Sequence, residues 1–137
     1  MREAKIRPAR LHVEYTETAL LSVSDHVRHV MTELAEFGVR WYVDDFGTGF
    51  SSLSHLRDLP VAGIKLDLSF TAGIRQRDQR SQRLAAAVAG LAKGLGLDSV
   101  AEGIETPQEA AILAAQGWNH FQGWLFGRPE PITAIHL

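Results

Sequence analysis

The apolar and polar positions of this chain fall into short blocks whose period switches repeatedly between two residues and three to four. Leu11-His12-Val13-Glu14-Tyr15-Thr16 alternates strictly. It predicts a strand with Leu11, Val13 and Tyr15 on one face and His12, Glu14 and Thr16 on the other. Leu20, Val23, Val27, Val30, Leu34 and Phe37 then recur every three or four positions, predicting one amphipathic helix that closes at Gly38. Val39–Asp44 predicts the second strand, with Tyr42 and Asp44 opposite Trp41 and Val43, so that Asp44 ends the strand and Asp45 begins a loop. A short helix follows over Ser51–Leu59 and is stopped by Pro60. Gly63–Asp67 reads as a third strand, with Ile64 and Leu66 on one face and Lys65 and Asp67 on the other. A helix over about residues 79–95 carries the stripe Leu84, Val88, Leu91 and Leu95. Asp98–Glu102 is the fourth strand. Thr106-Pro107-Gln108-Glu109 predicts a helix start with Thr as N-cap and Glu as capping-box partner, and that helix runs to Gly117. Trp118–Gln122 is the last strand, and Ile132–His136 begins a final helix or tail.

Strands and helices that alternate with connections this short imply right-handed βαβ units on a parallel sheet. The predicted fold is therefore α/β, a partial TIM-type (β/α) barrel of about five βα units in a single domain spanning 1–137. The 137 residues suffice for one hydrophobic core. A net charge of -2 gives no electrostatic footprint for duplex nucleic acid, and no apolar stretch is long enough for a membrane helix. There is no cysteine, which excludes disulfides and thiolate metal sites. The first residues lead into no signal-peptide core, so a cytoplasmic location is expected. Arg75, Arg77, Arg80 and Arg83 read as a solvated basic face. Trp41, Trp118 and Trp124 are expected in the core or at an interface. His12 and His120 either line the barrel interior or, on the favoured reading, serve ordinary packing or hydrogen bonding.

The chemistry-bearing residues sit at one kind of position. Each strand ends near its C-terminus in a residue that can bind or react: Glu14, the Asp44–Asp45 pair, Lys65 with Asp67, Glu102, and Gln122. The opposite faces, carrying Val13, Val43, Leu66, Ala101 and Phe121, would be covered by helices. In a βα barrel the C-terminal strand ends and their loops form the active-site rim. So many carboxylates in one mouth repel one another unless cations lie between them. Hard divalent ions such as Mg2+ or Mn2+ take oxygen ligands of this type. Two such ions with an adjacent lysine suit in-line attack on a phosphate ester. The competing reading is a set of strand-end salt bridges with Lys65 between acids, and strand-to-helix turn chemistry accounts for Asp and Gly at residues 44–49.

The motif run resembles a known family. Leu11–Thr18, with its Glu-x-Thr-Glu at Glu14–Glu17, is followed by Asp44-Asp45-Phe46-Gly47-Thr48-Gly49-Phe50-Ser51-Ser52-Leu53 and by Ile64-Lys65-Leu66-Asp67. Val100-Ala101-Glu102-Gly103-Ile104-Glu105-Thr106 and Phe121-Gln122-Gly123-Trp124-Leu125-Phe126-Gly127-Arg128-Pro129 complete the series. In order and content these are similar to the EAL domain, a bacterial phosphodiesterase that linearises cyclic di-GMP to pGpG. The resemblance implies a two-metal site working on Mg2+ or Mn2+. Glu14 and Asp44 would hold one ion, with Asp44 bridging to a second near Asp45. Glu102 would serve the second ion directly or through water. Lys65 would position the nucleophilic water, and Gln122 would hold that water or the nearby substrate phosphate. Glu17 would pin the loop from Asp45 to Ser52 from behind the ligands, Glu105 would act in the same supporting way, and Asp67 would touch substrate or metal.

One departure is large. The Glu-Ala-Leu triplet that names the family, whose glutamate is a metal ligand, is absent, as are a phosphate-gripping arginine after it and a metal-binding asparagine from a later strand. The resemblance begins just before the fourth strand of the family's eight-stranded barrel, which implies the C-terminal portion of the domain. Five βα units do not close such a barrel. The expectations are a fragment of a longer protein, a chain that completes its barrel against another chain such as a second copy, or a half-barrel without catalysis. As a lone polypeptide the chain is expected to turn over little cyclic di-GMP. The alternative function is a non-catalytic cyclic di-GMP-binding or protein-interaction module.

Overall fold

The computed structural model describes residues 6–20, 22–49, 53–131 and 133. Five strands, β1 (His12–Thr16), β2 (Arg40–Phe46), β3 (Val61–Leu66), β4 (Asp98–Ala101) and β5 (His120–Phe121), form one sheet in sequential order. Every neighbouring pair is parallel. The connecting helices are α1 (Glu17–Leu20), α2 (Asp25–Glu36), α3 (Leu53–Asp58), α4 (Leu68–Arg75), α5 (Gln79–Leu95) and α6 (Pro107–Gln116). A 3-10 turn at Pro8–Arg10 leads into β1. This is the α/β arrangement expected from the alternating periods, five parallel strands of a (β/α) barrel. The final helix or tail expected from Ile132 lies outside the described residues, apart from residue 133, and so do Ser51 and Ser52 at the start of the second predicted helix.

One face of the sheet carries the core. Around β2 and the start of β3, Leu20, Met31, Trp41, Val43, Phe46, Leu56, Leu59 and Ile64 are buried together. Around β4, Leu66, Ile74, Ala85, Ala89, Ala101, Ile104, Leu113 and Trp118 form a second cluster. The buried indole N–H of Trp41 donates to the Met31 carbonyl at 3.0 Å, which satisfies a polar atom that would otherwise be costly there. The α6 start is the capping box that Thr106 and Glu109 predict.

Three helical regions differ from the sequence reading. The single helix expected from Leu20 to Phe37 is two, α1 and α2, because Ser24 accepts a hydrogen bond from the Val27 N–H and starts α2 afresh. The stripe expected on α5 is displaced. Ala85, Ala89 and Ala92 are the buried residues, while Leu84 and Leu95 are exposed, since small side chains let the helix lie close on the sheet. Helix α4 was not anticipated. Its signal is Asp67, whose side chain caps the Ser69 N–H at 2.9 Å. Trp41 and Trp118 are buried, but Trp124 is 57% exposed, with the Arg128 guanidinium 4.5 Å above its ring.

Strand β2 also runs two residues beyond Asp44. Val43 pairs with Ile64 and Phe46 with Leu66, so two residues, Asp44 and Asp45, oppose the single residue Lys65. This is a β-bulge. Asp45 takes φ 54°, the left-handed region that aspartate tolerates better than most side chains. Strict alternation would turn adjacent residues to opposite faces, and the bulge frees Asp45 from that rule.

Candidate active site

Lys65 is the centre. It is 6% exposed, and its Nζ lies 2.8 Å from Glu14 Oε1, 3.2 Å from Asp44 Oδ1 and 2.5 Å from Glu102 Oε1. These three carboxylates come from β1, β2 and the residue after β4, and Lys65 from β3 between them. The parallel register brings them together: Thr16 pairs with Asp44 across β1 and β2, and Leu66 with Ala101 across β3 and β4. All lie near the C-terminal strand ends. Burial alone would lower the Lys65 pKa, but hydrogen bonds to Glu102 and Glu14 and the charges of Glu102 and Asp44 raise it well above the ordinary lysine value. Lys65 is therefore an ammonium that holds its proton throughout the physiological range.

Asp45 sits at the edge of this group. Its carboxyl pKa is raised, first by burial, then by the charges of Asp44 and Asp67 and a hydrogen bond with Asp67; Lys65 offsets this only in part. Asp67 also caps α4. Asp44 Oδ1 is buried and lacks a well-formed hydrogen bond, although Lys65 is near. Crowded acids with an undersatisfied buried oxygen are an environment that favours additional positive charge.

The loop after Asp45 is held from α1. Glu17, 3% exposed, accepts hydrogen bonds through Oε2 from the Gly47 and Gly49 N–H groups, each at 2.9 Å. The Thr48 hydroxyl donates to the Asp45 carbonyl at 2.8 Å, closing the turn. Glu105 pairs with Arg75 at 3.1 Å, and its N–H donates to Glu109. Gln122 is exposed. Its backbone N–H donates to the Ala101 carbonyl, and its carbonyl accepts from the Ile104 N–H. Glu102, Glu105 and Gln122 line a cavity of about 710 Å3 with Arg75, Trp124 and Arg128. That size is within the roughly 300–1,000 Å3 typical of small-molecule clefts.

The structure thus brings Glu14, Asp44, Lys65 and Glu102 into direct contact, puts Asp45 and Asp67 beside them, and leaves Glu105 and Gln122 on the cavity wall. Among the described residues, no three His, Asp or Glu side chains are arranged to hold a metal ion; the carboxylates turn to Lys65 instead. The donor set still fits a hard divalent cation. It consists of carboxylate oxygens, one of them buried and poorly satisfied.

Comparison with known proteins bears on what this arrangement belongs to. The family model described as "EAL domain" matches residues 1–129. This chain belongs to the EAL domain family. The cyclic di-GMP phosphodiesterase NbdA of Pseudomonas aeruginosa is 41% identical over 135 residues, covering 98% of this chain and 17% of NbdA. The solved structure of the phosphodiesterase PaMucR in complex with c-di-GMP superposes with a TM-score of 0.89 at 34% identity, covering 96% of this chain and 53% of that one. Klebsiella pneumoniae BlrP1 in a manganese/c-di-GMP complex gives a TM-score of 0.81 at 35% identity over 93% of this chain and 32% of BlrP1. The EAL sequence here spans about half of the PaMucR chain and about a sixth of NbdA. Its neighbours are TIM-barrel-like EAL domains. No helix among the described residues is long and apolar enough to cross a membrane.

The sequence reading missed two polar groupings. Arg75 meets Glu105, Glu109 and the Gly103 carbonyl, and Tyr42 and Arg40 both reach Asp98. Alternation places Tyr42 on the Asp44 face, but nothing local says that its hydroxyl crosses β3 to β4. The arginines near residue 77 read as a uniform basic patch because charge alone does not show that Arg75 is paired.

Proposed function

We propose that this chain is the C-terminal portion of a cyclic di-GMP phosphodiesterase domain, hydrolysing c-di-GMP to linear pGpG at a site that takes two Mg2+ or Mn2+ ions. The observation that carries this reading is the meeting of Glu14, Asp44 and Glu102 on one buried ammonium, Lys65. Glu14, Asp44, Asp45 and Glu102 are the side chains that would hold the ions. When bound, the ions supply an activated water and neutralise charge on the phosphate. Lys65 donates hydrogen bonds from a fixed position. It orients a water oxygen and offsets the negative charge that develops on the phosphorus-bound oxygens. Glu17 fixes the Gly47–Gly49 turn so that Asp44 and Asp45 keep their positions. Gln122 and Asp67 face the substrate side. The remaining ligands of a complete site come from a segment or chain that continues the sheet beyond β1, either a preceding half of the domain or a second copy.

A second reading is a module that binds c-di-GMP or a protein without turnover. It is favoured by the three carboxylates being engaged by Lys65 and not directed at an open centre. Calorimetric titration of the isolated chain with c-di-GMP in Mn2+, alongside assay of pGpG release, separates the two. The phosphodiesterase reading expects binding, with slow turnover that Lys65→Met removes. A rate roughly 10–100-fold or more below that of a complete domain is expected from absent ligands. Tight binding with no pGpG, from this chain and from its parent protein alike, would establish the second reading. Absence of both binding and turnover in the parent would overturn the assignment.

A further inference from the structure

We propose that Arg75 is a positioning residue for Glu102, with α4 acting as a strut between the two acid-bearing turns of the site; this rests on the metal-dependent reading above. Arg75 is the last residue of α4, and its guanidinium fork makes three contacts with one segment of chain. Nε donates to Glu109 Oε1 at 2.5 Å, Nη1 meets Glu105 Oε1 at 3.1 Å, and Nη2 donates to the Gly103 carbonyl at 3.1 Å. All three partners lie within the seven residues after Glu102, and Gly103 is its immediate neighbour. Glu109, 2% exposed, then turns its other oxygen back on the same segment and accepts from the Glu105 N–H at 2.7 Å and the Thr106 N–H at 2.8 Å. The path of the chain out of Glu102 is therefore fixed from α4 and from the start of α6 together.

Gly103 makes this control direct. It has φ 68°, and a Cβ there would come within 3.1 Å of Leu68 Cβ, so α4 packs against the turn itself. At the other end of the same helix, Asp67 caps α4 and its charge acts on the neighbouring carboxyl of Asp45. Two turns of helix thus connect the Asp44–Asp45 bulge to the Glu102 turn, and Lys65 lies between them. A lysine at position 75 keeps the charge but has no planar fork with which to reach a carbonyl and two carboxylates at once. Simple stabilisation of α6 would need Arg75 to meet Glu109 alone. The contact with the Gly103 carbonyl, next to Glu102, is the one that a capping role does not require.

The test compares Arg75→Lys and Arg75→Ala with Leu113→Val, a change in the neighbouring core that removes none of the hydrogen bonds of the turn. Mn2+ affinity is read by electron paramagnetic resonance, and the Lys65 15Nζ signal is read by NMR without metal, with melting temperature recorded on the same samples. The expected result is a roughly tenfold or greater loss of Mn2+ affinity in both Arg75 variants and a shifted, faster-exchanging Lys65 ammonium signal. Leu113→Val should leave both as in the wild type despite a lower melting temperature. Arg75 variants with an unchanged Lys65 signal would overturn the inference, whether or not the chain binds Mn2+. So would a Leu113→Val signal that moves as far, which would reduce the effect to global stability. If the wild-type chain takes up no Mn2+ while the Lys65 signal still follows Arg75, the positioning role stands, and Mn2+ binding by the parent protein decides the metal reading separately.

Discussion

The Tyr42 hydroxyl donates to Asp98 Oδ2 at 2.9 Å, across the whole width of β3. Arg40 meets the same oxygen at 2.7 Å, and His12 stacks on the Tyr42 ring at 4.8 Å between centroids. This bond ties β2 to β4 one layer beneath Lys65, and it passes over Gly63. Tyr42 and Asp44 are two positions apart on one strand, Gly63 and Lys65 on the next, so a shift in the lower layer is transmitted to the upper one. Burial, followed by the hydrogen bond and the charge of Asp98, raises the Tyr42 pKa, which keeps the hydroxyl protonated as a donor.

Gly63→Ala is the sharpest probe of that tie. A Cβ there would stand 2.4 Å from Tyr42 Cε1 and 3.0 Å from the Asp98 carbonyl oxygen. The expected cost is about 1–3 kcal/mol of stability, as for overpacked interiors. Tyr42→Phe keeps the ring and loses only the bond, so about 1 kcal/mol is expected. Urea unfolding of the two variants checks the order; a Gly63→Ala chain as stable as the wild type would show that the tyrosine is free to move aside.

Lys65→Met leaves three carboxylates facing one another. Breaking a buried ion pair costs about 3–5 kcal/mol, and the low end is expected because Glu14 is half exposed. Chemical denaturation of the variant and the wild type measures it.

Glu17→Ala removes the acceptor for two backbone N–H groups. Hydrogen bonds to charged groups contribute about 1.5–3 kcal/mol each at most, so the Gly47–Gly49 turn should loosen. Amide hydrogen exchange at Gly47 and Gly49 is expected to accelerate well beyond that of the helices, and Glu17→Gln, which retains an oxygen, should accelerate it less.

Glu109 makes stability depend on acid. Burial alone would raise its pKa, but the Glu105 N–H, the Arg75 guanidinium and the Thr106 N–H outweigh it, and the folded value lies below the ordinary 4.5. A lowered folded pKa means stability that is present in full above 4.5 and is lost as the pH falls through the folded value. Wild-type stability should therefore decline below pH 4.5 more steeply than that of Glu109→Gln, which lacks this component and is less stable at neutral pH.

The order of strands was legible because each carries a distinct period and ends in a polar residue, and Thr106 with Glu109 declared a helix start that the structure has. What escaped were features made by contact between distant elements. The break at Ser24 is hidden because Val23 and Val27 continue the helical spacing across it. The Asp44–Asp45 bulge is invisible to alternation, since it is defined by pairing with β3. The Ala85–Ala89–Ala92 face lost to its leucines in any reading by hydrophobicity alone. For the site, the sequence placed the ionisable groups at the strand ends but left open whether Lys65 would sit between acids, and that geometry depends on the register of three strands.

Asp45 lies in backbone territory where asparagine is as comfortable as aspartate. Exchange between the two leaves the chain path intact and alters only the electrical character of the mouth. Charge and architecture are thus separable at this one position, so the electrostatics of the strand-end cluster can change there without refolding anything around it.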